Sequence, residues 1–310
     1  MKIVVTHASP DWDAITSVWL LKRFLPGWEN AEVQFVSAGN RIQNSEFKVH
    51  NGHDTIEMFK DNEVIHVDTG LGPLDHHQTS DDQVCGASLT WEYVKISNAQ
   101  FFDVYAEEKR KYKKEAIERM VKVVVAIDHF KEVFWPESTA DYQEFGLFGV
   151  LEGLKSQRPD QDSFYVEFGM QCLDAVMHDF EGRIWAEKEI KENGKEFTTR
   201  FGKGLGIETI NDSVIKLAQK MGYMLVVRKD PRKGYVRIKA RPEEKKQAVR
   251  GKNQGIDLSL AYEQLSKMDP EATWYLHVSK KMLLNGTPKN PKMKPTRLTL
   301  GEIIRVLEKI

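Results

Sequence analysis

Two short segments constrain this chain most: His7-Ala8-Ser9-Pro10-Asp11-Trp12-Asp13, and Asp75-His76-His77, with Val67-Asp68-Thr69-Gly70 between them. They follow apolar runs that read as strands. Carboxylates gathered at one place repel each other, and a bound cation reverses that penalty. Taken singly, each Asp would be a helix cap or turn residue, and His7 a strand-end histidine. Jointly they point to divalent metal. A ligand set rich in oxygen with a few imidazoles suits manganese or magnesium better than a thiolate set suits zinc.

The 310 residues are enough for one large domain or two ordinary ones. Hydrophobic residues make up 41% and charged residues 29%, which places the chain among globular proteins and excludes a disordered one. Cys85 and Cys172 are too few for a disulfide framework and fit a reducing cytoplasm. The chain runs directly into Lys2-Ile3-Val4-Val5, so no secretory leader is expected. No apolar stretch approaches the roughly 18 residues of a membrane span, and no membrane partner is expected. A cytoplasmic protein, with a homodimer as one compatible assembly, is the expectation.

The net charge of −1 hides an asymmetry. Residues 197–310 carry 24 Lys+Arg against 11 Asp+Glu, whereas residues 1–196 carry 21 against 35. A basic second half and an acidic, metal-ready first half suit a polyanion held by one and cut by the other. The plainer reading is mutual attraction of the halves with the remaining charge solvated.

Lys2 to Thr6 reads as a strand, Ala14 to Leu25 as a helix on a sheet, and Ala31 to Ser37 and Glu63 to Val67 as further strands. Asp11 or Asp13 suits the start of that helix. Strands separated by helices predict a parallel α/β sheet, whose ligands gather beyond the carboxyl ends of the strands. His7 and Asp68 fall there. Gly86 to Ile96 and Lys113 to Ile127 read as helices, the latter with Ile117, Met120, Val121, Val124 and Val125 on one face. It delivers Asp128. A charged helical stretch, Phe164 to Asn193, reads as a connector. Beyond it, Met224 to Arg228, Tyr235 to Ala240, Thr273 to Val278 and Lys281 to Leu284 read as strands. Leu258 to Lys267 reads as a helix. Thr299 with Glu302 forms a capping box for a last helix. His66 is expected to be structural, as is His129 at a helix end, and Cys85 has no partner suggesting nucleophilic catalysis.

The order His-x-x-x-Asp-x-Asp, then a strand-ending Asp, then Asp-His-His, then a later Asp resembles the DHH phosphoesterase superfamily. Here these are His7, Asp11 and Asp13; Asp68; Asp75, His76 and His77; and Asp128, with Asp103 or Asp141 as alternatives for the last. That superfamily includes RecJ-like exonucleases, small-RNA nucleases, cyclic-dinucleotide phosphodiesterases and manganese pyrophosphatases. The resemblance covers about residues 1–150 and implies a parallel-sheet α/β DHH-type domain (1–155), a helical connector (156–197) and a smaller, basic α+β substrate-binding domain (198–310). It implies two Mn2+ ions, with Mg2+ as substitute. His7 and Asp11 would hold one ion; Asp13, His76 and Asp128 the other; Asp68 would bridge them. His77 would contact the scissile phosphate, and Asp75 would orient a neighbouring histidine.

The second half departs from the family, lacking its glycine-run-plus-His motif. Trp274-Tyr275-Leu276-His277-Val278-Ser279-Lys280-Lys281-Met282-Leu283-Leu284-Asn285-Gly286 is faintly similar to a strand–His–turn–Gly segment of DHH-like exonucleases. His277, Lys280, Lys281, Asn285 and Gly286 are candidate phosphate contacts, with an ordinary surface hairpin as the alternative. Arg237, Lys239 and Arg241 alternate along a strand as a candidate basic stripe. The leading expectation is a metal-dependent phosphodiesterase or exonuclease acting on nucleotides or short single-stranded nucleic acid. Trp274, Tyr275 and Tyr235 are candidate stacking residues. The alternatives are a pyrophosphatase-like phosphoanhydride hydrolase and a non-catalytic nucleotide-binding protein.

Overall fold

The computed structural model describes residues 1–42, 55–102, 108–242, 255–287 and 290–310. It is a mixed α/β protein with two sheets and, among the described residues, ten α-helices. Two compact units divide it, Met1–Glu181 and Gly182–Ile310. No described helix is long and apolar enough to cross a membrane.

The first unit runs β1 (Lys2–His7), α1 (Trp12–Phe24), β2 (Glu32–Val36), β3 (Glu57–Phe59), β4 (Asn62–His66), α2 (Gly86–Ser97), α3 (Ala99–Phe102) and α4 (Glu108–Asp128). A 3-10 turn (Lys131–Phe134), α5 (Asp141–Glu144), α6 (Leu147–Gln157) and α7 (Asp162–Asn193) follow, and α7 passes the boundary between the units. The sheet has the order β2-β1-β4-β3. β1 pairs in parallel with β2 and β4, and β3 closes one edge antiparallel to β4. The carboxyl ends of β1 and β4 therefore lie side by side, which brings His7 and Asp68 together. β3, a three-residue strand, was not anticipated; so short a run carries no period of its own.

The core of this unit packs α1, α2 and α4 with the sheet. Val4, Ile15, Trp19, Leu20, Trp91 and Tyr165 belong to it, as do all five residues anticipated on the inner face of α4. Gly169 of α7 is pressed against Ile15: a Cβ there would lie 2.6 Å from Ile15 Cγ2. Asp174, on the same helix, accepts from Trp19 Nε1 at 2.8 Å and pairs with Arg23 at 3.0 Å.

The second unit contains β5 (Lys195–Thr199), β6 (Gly202–Glu208), α8 (Ser213–Lys220), β7 (Leu225–Lys229), β8 (Val236–Ala240), α9 (Ser259–Met268), β9 (Trp274–Leu276), β10 (Met282–Asn285) and α10 (Leu300–Leu307). Its sheet has the order β5-β6-β7-β8-β10-β9, with only β6 and β7 parallel. The strands and helices anticipated after Met224 are present within a residue or two, and Thr299 and Glu302 do cap α10. β5, β6 and α8 escaped the sequence reading. Gly202, Gly204 and Gly206 blunt the strand pattern of β6, yet two of them are needed. A Cβ at Gly204 would meet the Phe197 ring at 2.4 Å, and one at Gly206 would meet Ile304 at 2.6 Å.

Candidate metal centre

The site grows from the loop after β1. His7 ends that strand, and Pro10 breaks it before α1. Asp11 caps α1: its Oδ1 accepts from the amides of Asp13 at 2.9 Å and Ala14 at 3.0 Å. Its Oδ2 is left facing His7 Nε2, 3.9 Å away. Asp13, in the first turn of α1 and 2% exposed, reaches the start of α2. Its oxygens accept from Gly86 N at 2.7 Å and Ala87 N at 2.6 Å. These are unsatisfied donors of a helix N-terminus, where a carboxylate is favoured.

Asp68 lies at the centre, 2% exposed and with a left-handed φ of 52°. Such a conformation costs energy and is retained where surrounding structure imposes it. Its Oδ2 faces His7 Nε2 at 3.3 Å, and its Oδ1 faces His76 Nδ1 at 3.5 Å. His76 Nε2 in turn lies 3.2 Å from Asp128 Oδ2 at the end of α4. Asp75 accepts from Leu71 N at 2.7 Å through Oδ2, while its Oδ1 lies 2.6 Å from His77 Nδ1. The rings of His76 and His77 stack with centroids 4.4 Å apart.

Three sets of donor atoms are close enough for an ion: His7, Asp11 and Asp68; Asp13, His76 and Asp128; and Asp68, Asp75, His76 and His77. Asp68 belongs to two of them and offers one oxygen to each side. Its Oδ1 is buried without a hydrogen bond, a cost that a cation would remove. The donor set of carboxylate oxygens and imidazole nitrogens therefore fits a divalent metal.

The electrostatics show the same crowding. Burial by itself would lower the His7 pKa, but the Asp68 hydrogen bond, the Ala8 carbonyl and Asp11 outweigh it and raise it to about 9. The carboxylates of Asp128 and then Asp68 raise His76 to about 10 against its burial. Burial, and then the charges of Asp68, Asp128 and Asp11, push Asp13 well above the usual carboxylate range. Burial would raise Asp68 too, but the facing imidazoles of His7 and His76 prevail and hold it below that range.

Other expected residues fall elsewhere. His66 is buried, with Nδ1 3.0 Å from Glu57 Oε1 and Nε2 accepting from Ile42 N, so it supports the loop from behind. His129 Nε2 lies 2.9 Å from the Val84 carbonyl. Cys85 is buried, and burial, followed by the charge of Asp13, raises its thiol pKa, which does not suit a nucleophile. Asp141 begins α5 and joins none of the donor sets; Asp103 lies outside the described residues. Sequence reasoning missed Gly86. A Cβ there would lie 2.9 Å from Asp68 Cβ and 3.0 Å from Asp13 Oδ2, so only glycine lets α2 close on the ligands. The one available signal was its position at a helix start beside Asp-His-His.

Of the candidate substrate residues of the second unit, Asn285 requires correction. Asn285 is fully buried, its Nδ2 donating to the Thr273 and Lys294 carbonyls and its Oδ1 accepting from Thr296 N. Its side chain is therefore spent on the fold. Gly286, with φ of 81°, lies under the Tyr235 ring, which a Cβ would meet at 2.1 Å. Trp274 is buried, so neither it nor Tyr235 is a free stacking platform; Tyr275 is 49% exposed. His277 Nδ1 lies 2.8 Å from Ser279 Oγ, and Lys280 pairs with Asp257 at 3.1 Å. Lys281 is half-buried beside them. Along β8, Arg237 is tied to Asp212 at 3.3 Å, Lys239 is exposed, and Arg241 beyond the strand is half-buried.

No family model matches this chain, and no curated protein matches it. Among solved structures it is similar to an uncharacterized protein from Helicobacter pylori G27, with 12% identity and a TM-score of 0.23, covering 99% of this chain and 98% of that one. It is also similar to a Methanococcus jannaschii protein described as a candidate family II inorganic pyrophosphatase. There the identity is 15% and the TM-score 0.20, with 99% of each chain covered. At these values neither likeness bears on the activity of this chain.

Proposed function

We propose that this chain is a two-metal hydrolase of phosphorus–oxygen bonds. The observation that carries the reading is Asp68, whose Oδ2 faces His7 and whose Oδ1 faces His76, a histidine that also lies beside Asp13 and Asp128. His7 and Asp11 would hold one ion, Asp13, His76 and Asp128 the other, and Asp68 both. When bound, such a pair supplies charge to polarise a phosphoryl oxygen and to lower the pKa of water. The motif order shared with the DHH phosphoesterases supports the same reading.

The protein's own groups then have distinct tasks. Asp75 accepts from His77 Nδ1, which leaves Nε2 directed outward on a side chain 56% exposed. His77 is thus the group placed to hydrogen-bond a phosphate oxygen or to deliver a proton to a leaving oxygen. The Gly86 and Ala87 amides hold Asp13 in place.

A small phosphoanhydride is the favoured substrate class, because of the three aromatics expected to stack bases Trp274 is buried and Tyr235 is half-buried against Gly286. A nucleotide phosphodiester is the second reading. Phe130, Phe134 and Phe145, at 74%, 85% and 93% exposure, follow Asp128 in the chain and support it. The deciding experiment is a turnover screen of the chelator-treated protein with Mn2+ restored, against pyrophosphate, dinucleotides, cyclic dinucleotides and longer single strands. Manganese-dependent cleavage of pyrophosphate alone supports the first class, and cleavage of diesters the second. No turnover of any, or turnover that survives chelation, removes the two-metal reading.

A further inference from the structure

A second cluster lies within the second unit. Arg228 on β7 and Arg237 on β8 are directly opposite each other in the antiparallel pair. Like charges so placed destabilise a sheet unless an anion lies between them. Here that anion is Asp212, just before α8. Its Oδ1 lies 3.1 Å from Arg228 Nη1 and 3.3 Å from Arg237 Nη1. It makes no capping hydrogen bond to α8, and its side chain is 59% exposed.

Arg228 is 7% exposed, and its Nε has no partner. Its Nη2 donates to the Ile210 carbonyl at 2.9 Å and lies 3.5 Å from Asp230 Oδ2. Asp230 is itself shared, its Oδ1 accepting from the amides of Arg232 and Lys233. One oxygen of Asp212 therefore serves both guanidinium groups at the start of an eight-residue helix, Asp230 Oδ2 gives Arg228 a second acceptor at 3.5 Å, and the buried Arg228 Nε is left over. Planar guanidinium donors on adjacent strands suit a tetrahedral dianion better than a single shared oxygen, and the helix start favours the same charge.

We propose that Arg228 and Arg237 form a phosphate-binding site in the second unit, with the side chain of Asp212 occupying the anion position until a phosphate group displaces it. The ligand is a phosphate monoester, a polyphosphate or free phosphate. The site uses none of the candidate metal ligands and does not depend on the hydrolase reading.

The test uses the full chain, chelator-treated so that the metal ligands do not take up phosphate. Inorganic phosphate is titrated at constant ionic strength while binding is followed by thermal shift. Arg237→Gln should weaken phosphate binding about tenfold or more, the scale of one charge-assisted hydrogen bond. Asp212→Asn should tighten it by a similar factor, because the internal competitor is gone. A general loss of folding cannot produce opposite shifts. Equal binding in all three proteins, or no tightening in Asp212→Asn, overturns the proposal. In the Mn2+-loaded enzyme, a substrate phosphate at this site makes free phosphate competitive and gives Arg237→Gln a raised KM. A separate effector phosphate changes kcat at saturating substrate. Either pattern identifies the source of the ligand.

Discussion

Asp68 is the residue on which both halves of the proposed centre depend. Loss of partners that merely orient a ligand costs about 10–100-fold in metal affinity or activity. Asp68→Ala should therefore lower turnover by more than about 100-fold, with bound manganese measured by metal analysis falling as well. His76→Ala should lose metal, whereas His77→Ala should keep it and lose turnover, since His77 Nδ1 is bound to Asp75. Equal metal loss in the two variants would take His77 off the substrate. Protons compete for the same donors. His7 and His76 are raised from 6.5 to about 9 and about 10 by neighbouring carboxylates, so near neutral pH a metal must displace protons from both. Apparent affinity should rise with pH by about tenfold per unit for each proton displaced. Calorimetry in buffers of different ionisation enthalpy measures that release. In chelated protein, the stability from these imidazolium–carboxylate contacts is fully present below about 6.5, the unfolded value, and is lost as pH climbs through 9 to 10. Denaturation midpoints across that window, with and without Mn2+, should diverge on the alkaline side.

At the scale of elements, the centre is made by chain ends meeting. The carboxyl ends of β1 and β4, the starts of α1 and α2 and the end of α4 converge on one point. Gly86 sets how closely α2 approaches. Gly86→Ala must push Asp68 or Asp13 aside, at a cost of about 1–3 kcal/mol by analogy with overpacked cores. Its effect on manganese affinity should exceed its effect on the melting temperature of the chelated protein; isothermal titration beside thermal denaturation tells them apart. In the second unit, the Thr299 hydroxyl and the Glu302 carboxylate cap α10 reciprocally. Thr299→Ala should cost about 1 kcal/mol and leave manganese binding unchanged. A change in metal affinity would show that the last helix influences the centre.

Across the whole molecule, charge is divided between an acidic first part and a basic second part. If the basic part holds a polyanion, binding releases counterions and affinity falls steeply with salt. KM for a long single strand should then rise sharply between low and physiological salt, and KM for pyrophosphate only weakly, at constant metal occupancy. Equal slopes would leave the basic residues outside the proposed phosphate site as solvated surface, as the pairing of Lys280 with Asp257 suggests for Lys280. The sequence by itself picked out the candidate donors and the elements that carry them, because the parallel strands and their helices are local patterns with strong periods. It also placed Asp11 at the start of α1 and Thr299 at the start of α10, since a cap depends on neighbours within three residues. Only the tertiary structure decided which donors share Asp68, why Gly86 is glycine, and that Asn285 and Trp274 serve the fold. It also placed Arg228 opposite Arg237, two residues nine apart on strands whose register no local pattern specifies. Each of these depends on strand register or on contacts between elements, which are set by the packing of the whole unit.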